Sequence, residues 1–204
     1  MPDLTSGAPV LAVTALLAYL LGSVSFGLVM ARLFGLGDLR SIGSGSIGAT
    51  NVLRTGNRLA AFLTLVLDAG KGGIAVVLAR WLTGAEDAAQ LAGAAALFGH
   101  CYPVWLGFRG GKGVATFFGT LLVISWPVFI AAGATWLAVA AVTRYSSAGG
   151  LAASASAPLW ALALGRPHLL LLTLAFAALI WWRHRGNIAR LRAGTETRIG
   201  RKTG

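Results

Sequence analysis

Glycine, hydroxyl, amide and cationic side chains are concentrated in one segment of the chain, which begins at Arg40 and ends at Arg54. Its three glycines allow positive φ, so several backbone N–H groups can point at one anion. The arginine at its end adds a planar fork that binds phosphate oxygens in pairs. These residue types predict a phosphate cradle, although a flexible linker between helices would have a similar composition. The candidate binding residues are Ser44, Gly45, Gly48, Thr50 and Asn51, with Arg54 as the candidate cation.

A second glycine-rich segment lies at 99–116 and contains Gly-Gly-Lys-Gly. It offers flexible backbone donors and one mobile cation, Lys112. It is not a nucleotide P-loop, because Gly113 stands where that loop has serine or threonine. A tight turn anchored by interfacial cations is the alternative. Further along the chain, Ser146 and Ser147 add two hydroxyls, for which a hydroxyl-capped turn is the alternative.

The basic segment 183–190 is the third candidate, and it contains His184 and Asn187. A spacing of three places both side chains on one face if the segment is helical. A basic helix that binds anionic lipid headgroups is the alternative. Glu196, the only acidic residue after the last apolar run, is a candidate to hold one of the nearby arginines.

Asp68 and Lys71 lie inside a long apolar run, at a spacing that brings them to one helix face. Ionisable groups at membrane depth are costly and are usually paired or functional. Two interpretations remain open: a structural pair that borders the site, or direct contact with a substrate. Carboxylates are otherwise scarce, which argues against a two-acid or metal-carboxylate mechanism. The prediction is therefore no metal and no cofactor.

The composition indicates an integral membrane protein. Hydrophobic residues make up 56% of the 204 residues and charged residues only 11%, with a mean hydropathy of +0.75. Soluble proteins have about 25% charged residues, so this chain has too little polar surface for a soluble globule. The formal net charge of +11 comes mainly from loops between apolar runs. This pattern favours topology signals and partners for anionic substrates or lipid headgroups over a nucleic-acid partner.

Apolar runs and loop charges together predict seven membrane spans. The fourth and fifth runs are short and could form one helix, but a break at 125–127 separates them. With that break, 13 loop and tail cations lie on one side, and only Arg80 and Arg166 on the other. Merging the two runs would put the basic tail outside, so the positive-inside rule favours seven spans, an outside N-terminus and a cytoplasmic tail. The predicted spans are 9–34, 59–82, 88–108, 114–126, 127–142, 148–165 and 167–182.

The predicted fold is therefore all-α, with one membrane-embedded domain over 1–204 and glycine-rich cytoplasmic loops. Its 28 glycines and its alanine-rich runs allow close helix approach, which predicts a compact bundle. In such a bundle, an odd number of crossings brings all of the candidate loops to one face of the membrane.

The three segments resemble those of the bacterial acyl-phosphate:glycerol-3-phosphate acyltransferases (PlsY family). The resemblance covers the whole chain, with small departures at Ser46, where the family commonly has asparagine, and at Arg109, where it commonly has lysine. The matching stretches are Gly43-Ser-Gly-Ser-Ile-Gly-Ala-Thr-Asn51, Gly99-His with Gly110-Gly-Lys-Gly-Val-Ala-Thr116, and His184-Arg-Gly-Asn-Ile-Ala-Arg-Leu191 with Gly194-Thr-Glu196. By contrast, no histidine has an aspartate five positions later, so the His-x4-Asp arrangement of many glycerolipid acyltransferases is absent.

The resemblance implies transfer of a fatty acyl group from acyl phosphate to glycerol 3-phosphate, giving lysophosphatidate and phosphate. This reaction is the first acylation of phospholipid synthesis, and it implies a multi-pass protein of the bacterial cytoplasmic membrane, in contact with membrane lipids. By similarity, the first loop cradles phosphate. The residues that match family positions lining the substrate site are Arg54, Lys112, Ser146, His184 and Asn187. The alternative function is a transporter or flippase for a phosphorylated metabolite, which would need cationic residues along a pathway to both faces.

Overall fold

The computed structural model describes residues 2–200, and over that range the chain is helical and contains no β-strand. The all-α prediction is confirmed. Three short 3-10 helices, Leu39–Ser41, Val104–Leu106 and Pro167–Leu169, lie between longer elements. The α-helices are α1 (Ala8–Gly22), α2 (Phe26–Leu33), α3 (Ala49–Leu53), α4 (Arg58–Thr83), α5 (Glu86–Cys101), α6 (Val114–Ile124), α7 (Trp126–Thr143), α8 (Ser146–Ala163), α9 (Leu170–Arg183) and α10 (Arg185–Arg192).

Three helical stretches are long and apolar enough to cross a membrane: Ala8–Leu33, Arg58–Thr83 and Trp126–Thr143. The first of them contains the short break between α1 and α2. Two shorter apolar helical stretches, Val114–Ile124 and Pro167–Arg183, accompany them. These helices are consistent with the membrane class predicted from composition. Of the basic tail residues counted for the topology, Arg201 and Lys202 lie outside the described residues.

The third predicted span, 88–108, was wrong about where the helix ends. Helix α5 stops at Cys101 and has 16 residues, a rise of about 24 Å against a hydrocarbon core of about 30 Å. Pro103 explains the stop, because the residue before a proline is disfavoured in the helical region. The backbone N–H groups of Gly110 and Gly111 then bond to the carbonyls of Cys101 and His100, at 3.2 and 3.0 Å. The chain after α5 thus folds back as a loop.

The two short apolar runs after residue 113 form separate helices. Ser125 has extended backbone angles (φ −157°, ψ 91°) between α6 and α7. The rings of Phe118 and Phe129 lie 6.0 Å apart, centroid to centroid, whereas residues eleven apart on a straight helix are separated by about 16 Å. Helix α7 therefore folds back along α6 as a hairpin.

Small residues bring the helix backbones into contact at the centre of the bundle. A side chain at Gly119 of α6 would overlap the carbonyl of Ala69 on α4, and one at Gly22 of α1 would overlap the carbonyl of Ala96 on α5. Membrane helices without a hydrophobic driving force rely on such close packing. A cluster of buried residues that includes Leu97, Phe117 and Phe176 fills the space among the later helices.

Clusters of polar contacts lie at the two ends of the bundle, in addition to those of Asp68 and Lys71 within α4. At one end, Asp87 at the start of α5 accepts hydrogen bonds from the backbone and hydroxyl groups of Thr5 and Ser6, and Arg80 pairs with Glu86. The other end holds the loops 34–57, 102–113 and 144–145 and the tail. The structure therefore brings together the loops that carry the candidate residues.

Candidate functional site

A cavity of about 520 Å³ lies at the end of the bundle where these loops meet. One part of its wall is polar and comes from the loops and the tail, and the other is apolar and comes from α4, α6 and α7. The polar residues that line it are Ser44, Ser46, Thr50, Asn51, Arg54, Asp68, His100, Lys112, Ser146, Ser147, His184, Asn187, Glu196 and Thr197. Gly48 also lines the cavity, whereas Gly45 and Lys71 do not.

The first loop is organised around the buried side chain of Asn51. Its Oδ1 accepts from the Ser44 backbone N–H at 3.2 Å and from Arg54 Nη1 at 3.1 Å, and its Nδ2 donates to the Leu39 carbonyl at 2.8 Å. The Asn51 amide thus fixes the shape of the loop and holds Arg54 at the cavity. Gly45 has φ +66° on the exposed side of the loop, so it serves the turn.

Arg54 and Lys112 are the two cations of the polar wall. Lys112 has no hydrogen bond or ion pair with another residue in the described part of the chain. Burial lowers the pKa of Lys112, the cations of Arg190, Arg54 and Arg183 lower it further and Glu196 opposes them, so that the pKa is about 8. Burial also lowers the pKa of Arg54, which remains charged. Two cations near one cavity favour a bound anion.

The loop that carries Lys112 has little freedom. Gly113 has φ +84°, and a side chain at Gly111 would overlap the imidazole of His100. Arg183 donates from Nε to the Gly111 carbonyl at 3.0 Å and from Nη2 to the Gly110 carbonyl at 2.8 Å. The Gly-Gly-Lys-Gly segment is therefore a braced turn that presents Lys112 to the cavity.

His184 lies between α9 and α10 and presents one ring nitrogen to the cavity. Its Nδ1 lies 2.8 Å from the Ile180 carbonyl. A carbonyl can only accept, so Nδ1 carries the proton and Nε2 keeps its lone pair. Burial and the Lys112 cation together lower the pKa of His184 to about 4, against the opposing effects of the Ile180 hydrogen bond and Glu196. His184 is therefore neutral at pH 7 and can accept a hydrogen bond from a ligand hydroxyl.

Glu196 is buried, and its carboxylate connects α8 and α10. Oε1 accepts from Ser147 Oγ at 2.8 Å and from Asn187 Nδ2 at 2.6 Å, and Oε2 accepts from Arg190 Nε at 2.7 Å. Burial alone would raise the pKa of Glu196, but these three hydrogen bonds lower it, so the carboxylate is charged at neutral pH. Glu196 thus contacts one of the tail arginines, as expected, and it fixes Asn187.

The neighbouring hydroxyls Ser146 and Ser147 have different partners. Ser146 Oγ lies 3.2 Å from Thr50 Oγ1, across the boundary between the first loop and α8. Ser147 Oγ is committed to Glu196. The more exposed Ser146 and Thr50 therefore keep hydrogen-bonding capacity for a ligand. We refer to Arg54, Lys112, Ser146, His184, Asn187 and Glu196, together with the first loop, as the anion site.

Asp68, Lys71 and His100 form a second buried group, which we refer to as the paired cluster. Lys71 Nζ lies 2.8 Å from Asp68 Oδ1 and donates to the Val24 carbonyl at 2.6 Å. His100 Nδ1 lies 3.6 Å from the same Asp68 oxygen. Asp68 and His100 border the cavity, whereas Lys71 points toward α2. This geometry is that of a neutralised pair next to the site.

Some contributors to the site carry no signal in the sequence. The apolar wall, which includes Phe118, Phe129 and Trp136, consists of residues that resemble any others in an apolar span. Arg183 resembles the other tail arginines. No group of three or more histidine, cysteine, aspartate or glutamate residues with metal-site geometry occurs within residues 2–200.

A family model described as glycerol-3-phosphate acyltransferase matches residues 12–194. A curated protein with this name from Jannaschia sp. (strain CCS1) is 65% identical over 201 residues, which cover 98% of each chain. Another from Dinoroseobacter shibae (strain DSM 16493 / NCIMB 14021 / DFL 12) is 60% identical over 202 residues, covering 99% of each. The similarity therefore extends over nearly the full length of both chains.

Two solved structures have the same fold. Both are crystal structures of PlsY (YgiH), an integral membrane glycerol 3-phosphate acyltransferase. The glycerol 3-phosphate form superimposes with a TM-score of 0.87 at 40% identity, covering 93% of this chain and 96% of the other. The lysophosphatidic acid form gives 0.84 at 37% identity, covering 93% and 95%.

Proposed function

The chain belongs to the glycerol-3-phosphate acyltransferase family, and we propose that it transfers a fatty acyl group from acyl phosphate to glycerol 3-phosphate. The products are lysophosphatidate and inorganic phosphate, the first acylation of phospholipid synthesis. One observation carries the proposal: a single cavity joins a polar wall with two cations to an apolar wall between membrane helices. Such a cavity fits one small phosphorylated acceptor and one donor that is half lipid.

The polar wall has the groups needed to hold phosphate oxygens. Arg54 and Lys112 act as electrostatic clamps. Asn187 presents a side-chain amide beside His184, and the hydrogen bond from its Nδ2 to Glu196 holds it in place. In this proposal the phosphate-cradle residues are Ser44, Gly45, Gly48, Thr50, Asn51 and Ser146, of which Gly45 and Asn51 act mainly by shaping the loop.

The apolar wall suits the acyl chain. It runs along the hairpin of α6 and α7, from Val114 past Phe118 to Leu122, a distance of about 12 Å along the helix axis. Leu65, Leu122 and Leu137 line this part and are themselves about half exposed or more. The part of the cavity along the apolar wall, which we refer to as the slot, is therefore open sideways to the bilayer, from which an amphiphilic donor can enter.

The chemistry requires little acid–base assistance, because an acyl phosphate is already activated. The acceptor hydroxyl oxygen bonds to the carbonyl carbon, the bond from that carbon to the phosphate oxygen breaks, and the departing phosphate takes the hydroxyl proton. Positioning of the two substrates and electrostatic stabilisation by Arg54 and Lys112 supply the rate enhancement. His184 Nε2 orients the acceptor hydroxyl as a hydrogen-bond acceptor.

We also infer seven crossings in the bacterial inner membrane, with the N-terminus outside and the anion site on the cytoplasmic side. The supports are the seven helices of eleven residues or more within residues 2–200, α1 and α4 to α9, and the placement of the site loops. Two helices separate each site loop from the next along the chain: α4 and α5, then α6 and α7, then α8 and α9. The basic residues of these loops favour the cytoplasmic side.

The decisive experiment uses detergent-purified protein with palmitoyl phosphate and glycerol 3-phosphate, and it measures lysophosphatidate and phosphate release together. We expect both products in equal amounts, and no lysophosphatidate when palmitoyl-CoA replaces the donor. Product from the coenzyme A thioester but none from acyl phosphate would contradict the proposed donor. Uptake of glycerol 3-phosphate by protein-containing vesicles, without any product, would favour the transporter alternative.

A further inference from the structure

Arg183, the last residue of α9, donates hydrogen bonds to the turn that carries Lys112. Two nitrogens of its guanidinium donate to successive carbonyls, Gly111 at 3.0 Å and Gly110 at 2.8 Å. Its guanidinium carbon also lies 4.9 Å from the centre of the Tyr102 ring. A planar fork that reaches two carbonyls at once fixes their orientation as well as their distance. Arg183 is not among the residues that line the cavity in the described part of the chain.

The same two glycines are held from the opposite side by α5. Gly110 and Gly111 donate their N–H groups to the carbonyls of Cys101 and His100, at 3.2 and 3.0 Å. Lys112 follows directly, and within residues 2–200 its ammonium has no hydrogen bond of its own. The location of this ammonium therefore depends on the backbone of the turn, and Arg183 supplies half of the contacts that hold the turn.

His184 follows Arg183 directly and is fixed through its Nδ1 to the Ile180 carbonyl one turn earlier in α9. Arg183 thus connects the rigid end of α9, which carries one site residue, to the turn that carries another. Its cation also contributes to the lowered pKa of both Lys112 and His184. A change at Arg183 is therefore transmitted to both residues, although it touches neither side chain through a hydrogen bond.

We propose that Arg183 is a positioning residue for acyl transfer. By bracing the Gly110–Gly111 turn against the end of α9, it keeps the Lys112 ammonium and the His184 imidazole at the separation needed to hold the acceptor's phosphate and hydroxyl together. This inference rests on the proposed function, because it assumes that both groups contact substrate in one reaction. The proposed role depends on the geometry of the guanidinium fork, so a positive charge alone at residue 183 is not sufficient for it.

Two substitutions separate geometry from charge, and a nearby arginine provides the control. Arg183→Lys keeps the cation but loses the planar fork, and Arg183→Gln loses both. Arg185→Gln removes a cation two residues away whose guanidinium lies over the Trp182 ring and does not contact the turn. Each protein is purified in detergent, and the experiment measures kcat, KM for glycerol 3-phosphate, the melting temperature, and its shift on adding glycerol 3-phosphate.

We expect Arg183→Gln to raise KM for glycerol 3-phosphate and to lower kcat, so that kcat/KM falls about tenfold or more, since two hydrogen bonds to a charged group are lost. Arg183→Lys should recover only part of this loss, and Arg185→Gln should match the wild type. If Arg183→Gln does not fold, Arg183→Lys provides the test: a raised KM for glycerol 3-phosphate together with a lowered kcat supports the proposal, and wild-type values oppose it.

Two results would overturn the inference. One is full wild-type kinetics in Arg183→Lys, because charge alone would then suffice. The other is a lower melting temperature in Arg183→Gln with unchanged constants per folded molecule, which would indicate a purely structural brace. A wild type that yields no lysophosphatidate refutes the proposed function instead. In that case the glycerol 3-phosphate melting shift still tests the brace: a shift lost in Arg183→Gln but kept in Arg185→Gln supports it, and equal shifts oppose it.

Discussion

The paired cluster and the anion site border the same cavity, yet their charges are arranged in opposite ways. In the paired cluster, Lys71 is satisfied by Asp68 at 2.8 Å and by a backbone carbonyl at 2.6 Å. In the anion site, the single carboxylate of Glu196 is satisfied by Ser147, Asn187 and Arg190. Within residues 2–200, Lys112 therefore has no carboxylate partner, and the Arg54 side chain donates a hydrogen bond only to the neutral amide of Asn51.

This difference separates stability from function. A buried charge that has its counter-ion in the protein ties helices together and has little left for a ligand. A cation without a protein counter-ion attracts the anion of a substrate. Substitutions in the two groups should therefore change different observables, which the following predictions use.

The largest effect is expected from Asp68→Asn, which leaves the Lys71 ammonium buried without a carboxylate. Breaking a buried pair on one side costs about 3–5 kcal/mol, so the free energy of unfolding should fall by that order. The double change Asp68→Leu with Lys71→Met should recover much of the loss, because no buried charge then lacks a partner. Unfolding in detergent measures both. A large loss of activity with unchanged stability would show that Asp68 contacts substrate, the interpretation disfavoured here.

Lys112→Met should have the reverse profile. Removing one preorganised electrostatic group from an active site lowers the rate by about 10²–10³-fold, and here the group has no hydrogen bond within residues 2–200 to lose. We expect kcat/KM for glycerol 3-phosphate to fall by that factor while the melting temperature stays near that of the wild type. Arg109→Gln, in the exposed part of the same loop, is the matched control. Equal activity in both variants would remove Lys112 from the site.

His184→Gln tests the fate of the proton. A general base contributes about 10²–10⁴-fold, whereas loss of an orienting hydrogen bond alone costs about tenfold. We expect the smaller loss, because in the proposed mechanism the departing phosphate takes the proton and glutamine can still accept a hydrogen bond. His168→Gln, in the 3-10 helix that precedes α9, is the control. A complete loss of turnover in a folded variant that still binds glycerol 3-phosphate would identify His184 as the base.

The pKa of Lys112 predicts the alkaline limb of the pH profile. Its value of about 8 means that raising the pH through 8 removes the charge that we propose attracts phosphate. Because kcat/KM reports groups of the free enzyme, it should fall above about pH 8, approaching tenfold per pH unit. Lys112→Arg keeps its charge to higher pH, so its limb should move upward by more than one unit. An identical limb in this variant would assign the titration to another group.

The smallest effect concerns the apolar wall. A side chain at Gly133 of α7 would meet open space in the cavity, and one at Gly70 of α4 would meet open space outside it. Gly133→Leu should therefore fill part of the slot, and each displaced methylene costs about 0.8 kcal/mol, or about fourfold in binding. In Gly133→Leu, the KM for palmitoyl phosphate should rise above the wild-type value by a larger factor than the KM for octanoyl phosphate. Gly70→Leu should have the wild-type KM for both donors. The same shift in both variants would place the acyl chain elsewhere.

Much of the architecture was predictable because it follows from local properties of the chain. Hydropathy and the scarcity of charge identified a helical membrane protein, and the extended Ser125 lies where the sequence predicted a break. The spacing of Asp68 and Lys71 predicted their contact. The third predicted span contains Pro103, but the apolar residues around this proline extended the span to residue 108, seven residues past the end of α5. Hydropathy does not register the backbone preference that ends a helix.

The sequence by itself determined the residue types suited to binding phosphate, the family and the apolar helices, because each follows from composition, order and short spacing. Only the tertiary structure decided how those groups are used. It showed that the Asn51 amide shapes its loop, that Ser147 is bound to Glu196 while Ser146 keeps bonding capacity, and that Arg183 braces a turn 72 residues away. These outcomes depend on contacts between residues 12 to 73 positions apart in the chain, where packing selects one partner from several chemically equivalent ones.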